Sequence, residues 1–148
     1  MAAATYLNIL KPFLATWEGF RATPYWDHKQ WSWGYGTRVP GSVNDPGINP
    51  GGSITRDQAF AAMQQHFQTD YLYLKGLIRA NLRANQWAAL LSFSYQLGPG
   101  NADNLVPNIN SGNSDALGDQ WLLYNKVDGI YNQDSADRRQ AEWELWNS

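Results

Sequence analysis

Two carboxyl groups and one hydroxyl group lie close together near the start of this 148-residue chain, at Glu18, Asp27 and Ser32. Hydrolysis of a glycosidic bond needs two carboxyl groups in unlike environments, because one must donate a proton to the leaving oxygen while the other is ionised. Burial among aromatic rings favours the neutral carboxyl form, and Glu18 follows Trp17 on an apolar helical pattern. Asp27 lies in a polar stretch that suits the ionised role, and the Ser32 hydroxyl is suited to hold an attacking water. A Glu and an Asp at this spacing occur in many chains, so the spacing alone is weak evidence.

The composition is unusual in its aromatic and charged residues. Aromatic residues make up 14% of the chain, with eight Trp, whereas only 16% of residues are charged, against ~25% in typical domains. An aromatic-rich surface with few charges suits neutral, hydroxylated ligands such as sugars, but a core built from Trp and Tyr is the simpler explanation of composition alone. Within the aromatic segment from Trp17 to Tyr35, we expect Trp26 either to stack on a sugar or to shield Glu18.

Charge and cysteine content exclude several other classes of function. A net charge of -2 and a pI near 5.5 argue against a nucleic-acid-binding surface, which is usually basic. The absence of Cys excludes disulfides, thiolate metal sites and thiol nucleophiles. With only two His, we expect no metal centre and no cofactor. No apolar stretch approaches the ~20 residues of a membrane helix, and residues 1–20 lack the pattern of a secretory signal.

The candidate residues fall at the junction of a helix and a strand. Apolar residues at helical spacing predict an amphipathic helix over residues 5–19, with Pro12 delaying its start or kinking it. Strict alternation over residues 31–36 predicts a strand with three aromatic residues on one face. Its other face carries Ser32, Gly34 and Gly36, so we expect that face to stay open to a ligand. The aromatic face should pack a small β-lobe.

The rest of the chain reads as a loop followed by helices. Residues 39–52 are rich in Pro and Gly, and Thr55 and Gln58 then form a capping box for a helix that runs to about residue 74. Further helices are predicted from residue 85, capped by Asn85, from residue 104, from residue 114 and from residue 135, with Trp143 and Trp146 in the core. The prediction is an α+β fold in one domain, residues 1–148. It has a β-lobe at about 20–52, a connecting helix, and a helical lobe at about 75–148 that includes the N-terminal helix.

The order of these motifs resembles the phage-type, T4-lysozyme-like lysozymes, the endolysins of glycoside hydrolase family 24. Their catalytic signature is a Glu, eight residues, an Asp, about five residues and a Thr, followed by a Gly-Tyr-Gly-like turn, and residues 18–36 resemble it. Residues 54–59, 82–98, 124–126 and 138–142 resemble later family motifs in the same order, so the similarity spans nearly the whole chain. The resemblance implies a lysozyme-like fold with an active-site cleft between the two lobes.

The resemblance also implies roles for individual residues. Glu18 falls on the general-acid position, Asp27 on the second carboxylate and Ser32 on the Thr position. Ser32 departs from the pattern twice, because it is Ser instead of Thr and because only four residues separate it from Asp27. Its side chain is freer than that of a β-branched Thr, so we expect a less rigid water-positioning group. A C-terminal arginine pairs with the catalytic Glu in the family, and the sequence leaves this choice open between Arg138 and Arg139. The other implied substrate-binding or supporting residues are Trp26, Gly34, Tyr35 and Gln96.

The function implied by the resemblance is hydrolysis of the β-1,4 bond between N-acetylmuramic acid and N-acetylglucosamine, with lysis of bacterial cell walls. The expected partner is the peptidoglycan glycan strand, the expected state is a monomer without stable membrane association, and inversion is the expected stereochemistry. Such a chain would be made in the host cytoplasm and reach the periplasmic peptidoglycan with the help of a separate holin-like protein. One alternative is a wall-binding module without turnover, and another is a chitinase or lytic transglycosylase of related fold. The presence of both Glu18 and Asp27 favours the hydrolase.

Overall fold

The computed structural model describes the backbone of residues 2–148 and the side chains of residues 6–148. Met1, the first residue of the predicted domain, lies outside the described residues. The α+β class is confirmed, because the described chain has seven helices and five short strands, and the strands form two separate antiparallel sheets. In chain order these are α1 Ala2–Trp17, β1 Arg21–Trp26, β2 Trp31–Gly34, β3 Thr37–Arg38, α2 Arg56–Leu77, α3 Ala84–Leu97, α4 Pro99–Asp103, α5 Val106–Ser111, α6 Ser114–Leu122, β4 Lys126–Val127, β5 Ile130–Tyr131 and α7 Gln133–Trp146.

The chain folds into two compact units. One unit, residues 11–65, contains the three-stranded antiparallel sheet β1-β2-β3 together with the end of α1 and the start of α2. The other unit, residues 66–148, also includes the start of α1 as far as Leu10, and it contains the remaining helices and the β4-β5 hairpin. Of the two alternatives for Pro12, a late start of α1 is wrong, because α1 runs from Ala2 with Pro12 inside it.

A four-residue loop joins the first two strands of the sheet. Trp26 pairs with Trp31 and Tyr25 pairs with Ser32, so residues 27–30 form the connection. His28 in this loop has a φ of 68°, which is uncommon for a residue with a side chain. The hairpin therefore places Asp27, which follows β1, close to the first residues of β2.

The predicted strand over residues 31–36 is partly wrong. β2 ends at Gly34, and Tyr35 and Gly36 form the turn into β3. Gly34 and Gly36 have φ values of 61° and 93°, a region that favours glycine. The alternation of aromatic and small residues over 31–36 therefore spans a strand end and a turn.

The prediction of an open glycine face is wrong for Ser32 and Gly34, whereas Gly36 is exposed. Ser32 and Gly34 are buried, and a Cβ atom on Gly34 would lie 2.8 Å from the Cβ atom of Ala59 in α2. The missing side chain at Gly34 thus lets the helix pack closely against the strand. On the aromatic face, burial of Trp31 and Tyr35 confirms that these rings pack the β unit.

The core of the helical unit forms around α3, which packs against α7. Residues 87–94 of α3 are all buried. The Trp121 ring of α6 lies 5.4 Å from the Trp146 ring and 5.8 Å from the Trp143 ring, measured between centroids. The predicted core position of Trp146 is confirmed by its burial, while Trp143 is half-buried and packs against Gly118. Within residues 2–148, no helix combines the length and apolar character that crossing a bilayer requires.

Candidate active site

The loop between β1 and β2 holds the Asp27 side chain in a fixed position. The backbone N–H of Asp27 donates to the carbonyl oxygen of Gln30 at 3.0 Å and closes the loop. In return, the backbone N–H groups of Gln30 and Lys29 donate to Asp27 Oδ1 at 3.0 Å and 3.3 Å. An aspartate that accepts bonds from backbone groups two and three residues ahead is a common way to build a tight turn. The local sequence therefore fixes one carboxylate oxygen without help from distant residues.

Ser32 fixes the other oxygen of the same carboxylate. Its Oγ atom donates to Asp27 Oδ2 at 2.6 Å, a short distance of the kind found when the acceptor is ionised. The Gln30 side chain donates from Nε2 to the same Ser32 Oγ at 3.1 Å. Ser32 is completely buried, so its hydroxyl lies between these two partners and not at the surface.

The surroundings of Asp27 favour its ionised form. Partial burial raises the pKa of the Asp27 carboxyl, but the hydrogen bond from Ser32, the backbone bonds from Gln30 and Lys29, and the electrostatic interaction with His28 together lower the pKa below its ordinary value. Asp27 is consequently a carboxylate at neutral pH. It has the ionisation state that the second carboxyl group of a glycosidase requires.

Glu18 directly follows α1 in the same unit. Its backbone N–H donates to the carbonyl oxygen of Leu14 at 2.7 Å, and the residue is half-buried. Burial raises the pKa of the Tyr25 hydroxyl, electrostatic interactions with Asp27 and Glu18 raise it further, and Arg21 opposes them. Both carboxyl groups therefore act electrostatically on one phenol.

Tyr25 was missed as a site residue by sequence reasoning. Its position near the end of β1, two residues before Asp27 at the start of the loop, was the available signal. The Arg21 guanidinium lies over the Tyr25 ring, with its carbon 4.7 Å from the ring centroid.

The supporting residues predicted in the hairpin differ in exposure. Trp26 is half-buried and makes an edge contact with Trp31, with ring centroids 5.8 Å apart. Tyr35 is buried and makes an edge contact with Phe20 at 5.6 Å. Buried Gly34 contacts α2, as described above. Gly34 and Tyr35 thus support the hairpin, and only Trp26 retains partly exposed ring surface.

The two candidate arginines lie in the helical unit around one buried carboxylate. Arg139 donates from Nε to Glu142 Oε1 at 2.6 Å and from Nη2 to Oε2 at 2.8 Å. Arg138 is more loosely attached, with Nε 3.4 Å from Glu142 Oε2 and Nη2 3.3 Å from the carbonyl oxygen of Ser92. The Arg139 guanidinium also lies 5.3 Å from the Phe93 ring, and its Nη1 atom has no hydrogen-bond partner. Arg139 is therefore committed to Glu142, whose two oxygens it binds.

Gln96, the remaining predicted residue, does not line any of three surface pockets of the helical unit. Gln96 is exposed near the C-terminal end of α3. Three surface pockets of this unit are lined by other side chains, among them Gln86 and Trp146 in the first, Trp143 in the second and Arg79 in the third. Across the described residues, no three His, Cys, Asp or Glu side chains are grouped so that they could hold a metal ion.

Comparison with known proteins adds independent information. Residues 15–142 match the family model described as phage lysozyme. No curated protein matches the sequence significantly. Among solved structures, the muramidase domain of SpmX from Asticaccaulis excentricus is similar with a TM-score of 0.78 and 18% identity, covering 95% of both chains. A P22 lysozyme variant is similar with a TM-score of 0.75 and 24% identity, covering 95% of this chain and 96% of that one. The endolysin from Escherichia coli O157:H7 phage FAHEc1 is similar with a TM-score of 0.74 and 23% identity, covering 96% of this chain and 90% of that one. At these identities the structures show a shared lysozyme-like fold.

Proposed function

The chain belongs to the phage lysozyme family, and we propose that it is a muramidase that hydrolyses the β-1,4 bond between N-acetylmuramic acid and N-acetylglucosamine. Membership makes the chain a glycoside hydrolase of the lysozyme class with a peptidoglycan-directed function. The bond that is cleaved and the residues that cleave it are the proposal.

The observation that carries this proposal is the environment of Asp27. Its carboxylate is ionised and accepts hydrogen bonds on both oxygens, from Ser32 and from two backbone N–H groups. These three donors use three of the about four lone-pair sites that a carboxylate offers, so Oδ2 keeps acceptor capacity for one more donor. Such a group is suited to accept a proton from water, and it lies in the same unit as Glu18.

In the proposed reaction Glu18 is the general acid and Asp27 the general base. A water oxygen forms a bond to the anomeric carbon while the bond from that carbon to the leaving oxygen breaks. Glu18 gives its proton to the leaving oxygen, and Asp27 accepts a proton from the attacking water. Attack by water on the face opposite the leaving group inverts the configuration, which is the outcome that we expect.

We assign Ser32 to orienting Asp27 rather than to holding the water. Its single proton is donated to Asp27, and the hydroxyl is buried.

We further propose that the partner is the peptidoglycan glycan strand and that the chain acts as a monomer. In this proposal the chain is made in the host cytoplasm and acts at the periplasmic peptidoglycan. It depends on a separate holin-like protein to get there.

Loss of turbidity of outer-membrane-stripped Gram-negative cells tests the mechanism. Glu18→Gln and Asp27→Asn should each lower the rate of lysis by ~10²-fold or more, the scale of acid–base contributions. Glu144→Gln and Asp119→Asn make the same chemical changes at exposed positions of α7 and α6 and should leave the rate unchanged. Unchanged lysis by Glu18→Gln would refute the mechanism, and an inactive wild type would favour a wall-binding module.

Analysis of the released fragments tests the bond. Hydrolysis leaves fragments with reducing muramic acid ends, whereas a lytic transglycosylase leaves anhydro ends. Anhydro products, or reducing glucosamine ends, would contradict the proposed bond cleavage.

A further inference from the structure

We propose that Gln30 is a positioning residue, which holds the Asp27 carboxylate in its reactive orientation through the hydroxyl of Ser32. This inference rests on the proposed function, in which Asp27 accepts the proton of the attacking water. Gln30 lies within the segment that resembles the family signature, but at a position that the signature does not specify. It reaches Asp27 by two routes, its side chain and its backbone.

The direction of the hydrogen bonds follows from the number of protons available. An ionised carboxylate only accepts, so the 2.6 Å contact between Ser32 Oγ and Asp27 Oδ2 uses the single hydroxyl proton. Ser32 Oγ must then act as acceptor toward Gln30, and the 3.1 Å contact comes from the amide nitrogen Nε2. The chain of donation thus runs from Gln30 to Ser32 to Asp27, with each group in a defined role.

The consequence is that Gln30 restrains Ser32. A serine hydroxyl rotates more freely than a threonine hydroxyl, because it lacks the second substituent on Cβ. The amide of Gln30 supplies a restraint from outside the side chain, since rotation of Ser32 away from Asp27 would break two hydrogen bonds at once. Hydrogen bonds in such chains also polarise one another, so the Gln30 donor strengthens the bond that Ser32 makes to Asp27.

The short loop makes this arrangement possible. Four residues separate Asp27 from Ser32, and Gln30 is the second residue before Ser32. Because its backbone N–H donates to Asp27 Oδ1 while its backbone carbonyl accepts from the Asp27 N–H, Gln30 cannot move without moving the carboxylate. The same residue therefore determines the position of both carboxylate oxygens.

The substitutions Gln30→Met and Gln30→Glu separate the amide donor from the size of the side chain. Methionine keeps most of the volume and removes the donor. Glutamate keeps the shape but offers an acceptor, so it competes with Asp27 for the Ser32 proton and adds a negative charge. Gln68→Met and Gln68→Glu make the same changes at an exposed position of α2 and serve as matched controls.

The primary readout is titration of the Asp27 side-chain carbon by NMR, which does not require turnover. In Gln30→Met the pKa of Asp27 should rise, and in Gln30→Glu it should rise further. With solubilised glycan strands, kcat should fall ~3- to 10-fold in Gln30→Met and ~30-fold in Gln30→Glu, while KM stays within about twofold, because the loss is in the transition state. The acidic limb of the pH profile should move to higher pH, and the Gln68 variants should match wild type.

An unchanged Asp27 titration in both Gln30 variants would overturn the proposal, even if thermal stability fell, because a merely structural role moves the melting temperature alone. A wild-type chain without turnover whose Asp27 titration still responds to Gln30 would refute the muramidase proposal and support the hydrogen-bond chain. If the wild type lyses cells normally but the Asp27 titration does not respond to Gln30, the muramidase proposal is supported and the hydrogen-bond chain is refuted.

Discussion

Replacement of Gly34 by alanine tests why β2 carries a glycine at the point where α2 crosses it. A Cβ atom at this position would lie 2.8 Å from the Cβ of Ala59 and 3.5 Å from its Cα. The distance of 2.8 Å is shorter than two carbon atoms tolerate. The Ala59 Cβ atom cannot move aside easily, because it is attached directly to the backbone of α2. Overpacking of this kind costs ~1–3 kcal/mol. The backbone adds a second cost, because a φ of 61° is unfavourable by ~1–2 kcal/mol for a residue with a side chain.

The two costs together predict a loss of about 2–5 kcal/mol in the free energy of unfolding, reduced by ~0.4–1 kcal/mol because alanine restricts the unfolded chain. In a chain of this length each kcal/mol lowers the melting temperature by ~2–4 °C, so the shift should lie near 5–15 °C. Urea denaturation and calorimetry measure both quantities.

Two other glycines supply the controls. Gly36→Ala shares the positive φ, at 93°, but its nearest neighbour would be the Tyr25 hydroxyl at 4.0 Å, so it should show the backbone cost without the clash. Gly19→Ala meets nothing within 4 Å and has no positive φ, so it should be close to neutral. Adding Ala59→Gly to Gly34→Ala should recover part of the loss, as a positive coupling between neighbours. A Gly34→Ala protein no less stable than Gly36→Ala would refute the close-packing explanation.

Two further predictions concern charged groups. Because the pKa of Asp27 is lowered by folding, its ionised form contributes stability above the ordinary Asp value, and that contribution is lost as pH falls through the lower folded value. Ser32→Ala removes one hydrogen-bond donor to Asp27, so the free energy of unfolding measured below about pH 4 should depend less steeply on pH. The acidic limb of the pH–activity profile should also move to higher pH. An unchanged acidic limb would show that Ser32 does not influence the ionisation of Asp27. Arg139→Met leaves the buried Glu142 carboxylate with weaker partners, and urea denaturation should show a loss of about 3 kcal/mol or more. A loss below about 1 kcal/mol, the scale of an exposed pair, would show that Arg138 compensates.

Features encoded by neighbouring residues could be predicted from the sequence. The capping box at the start of α2 forms as expected, with the Thr55 N–H donating to Gln58 Oε1 at 3.0 Å and the Gln58 N–H donating to Thr55 Oγ1 at 3.1 Å. The polar loop around Asp27 is equally local, because its hydrogen-bond partners lie within five residues. Here the residue types and the short spacing carry nearly all the information.

Features that depend on distant segments could not be predicted in this way. Asn85 has the residue type of a helix cap, yet it lies inside α3 and its Nδ2 donates to the carbonyl oxygens of Leu145 and Trp146 at the end of α7. The adjacent Arg138 and Arg139 are chemically identical in the sequence. Only the packing of α7 against α3 separates them, because it gives Arg139 both oxygens of Glu142 and leaves Arg138 near Ser92.

The two departures of Ser32 from the family pattern have one physical explanation in the hairpin. With four residues in the loop, the pairing of Trp26 with Trp31 places Ser32 opposite Tyr25, close enough to Asp27 for a 2.6 Å hydrogen bond. A hydroxyl in direct contact with the carboxylate needs one rotamer, and the neighbouring Gln30 amide selects it, so the β-branch of a threonine is not required. The buried surroundings of Ser32 leave little room for an additional methyl group. In this hairpin the four-residue spacer and the serine therefore fit together, with the restraint on the hydroxyl coming from the loop residue Gln30, as we propose.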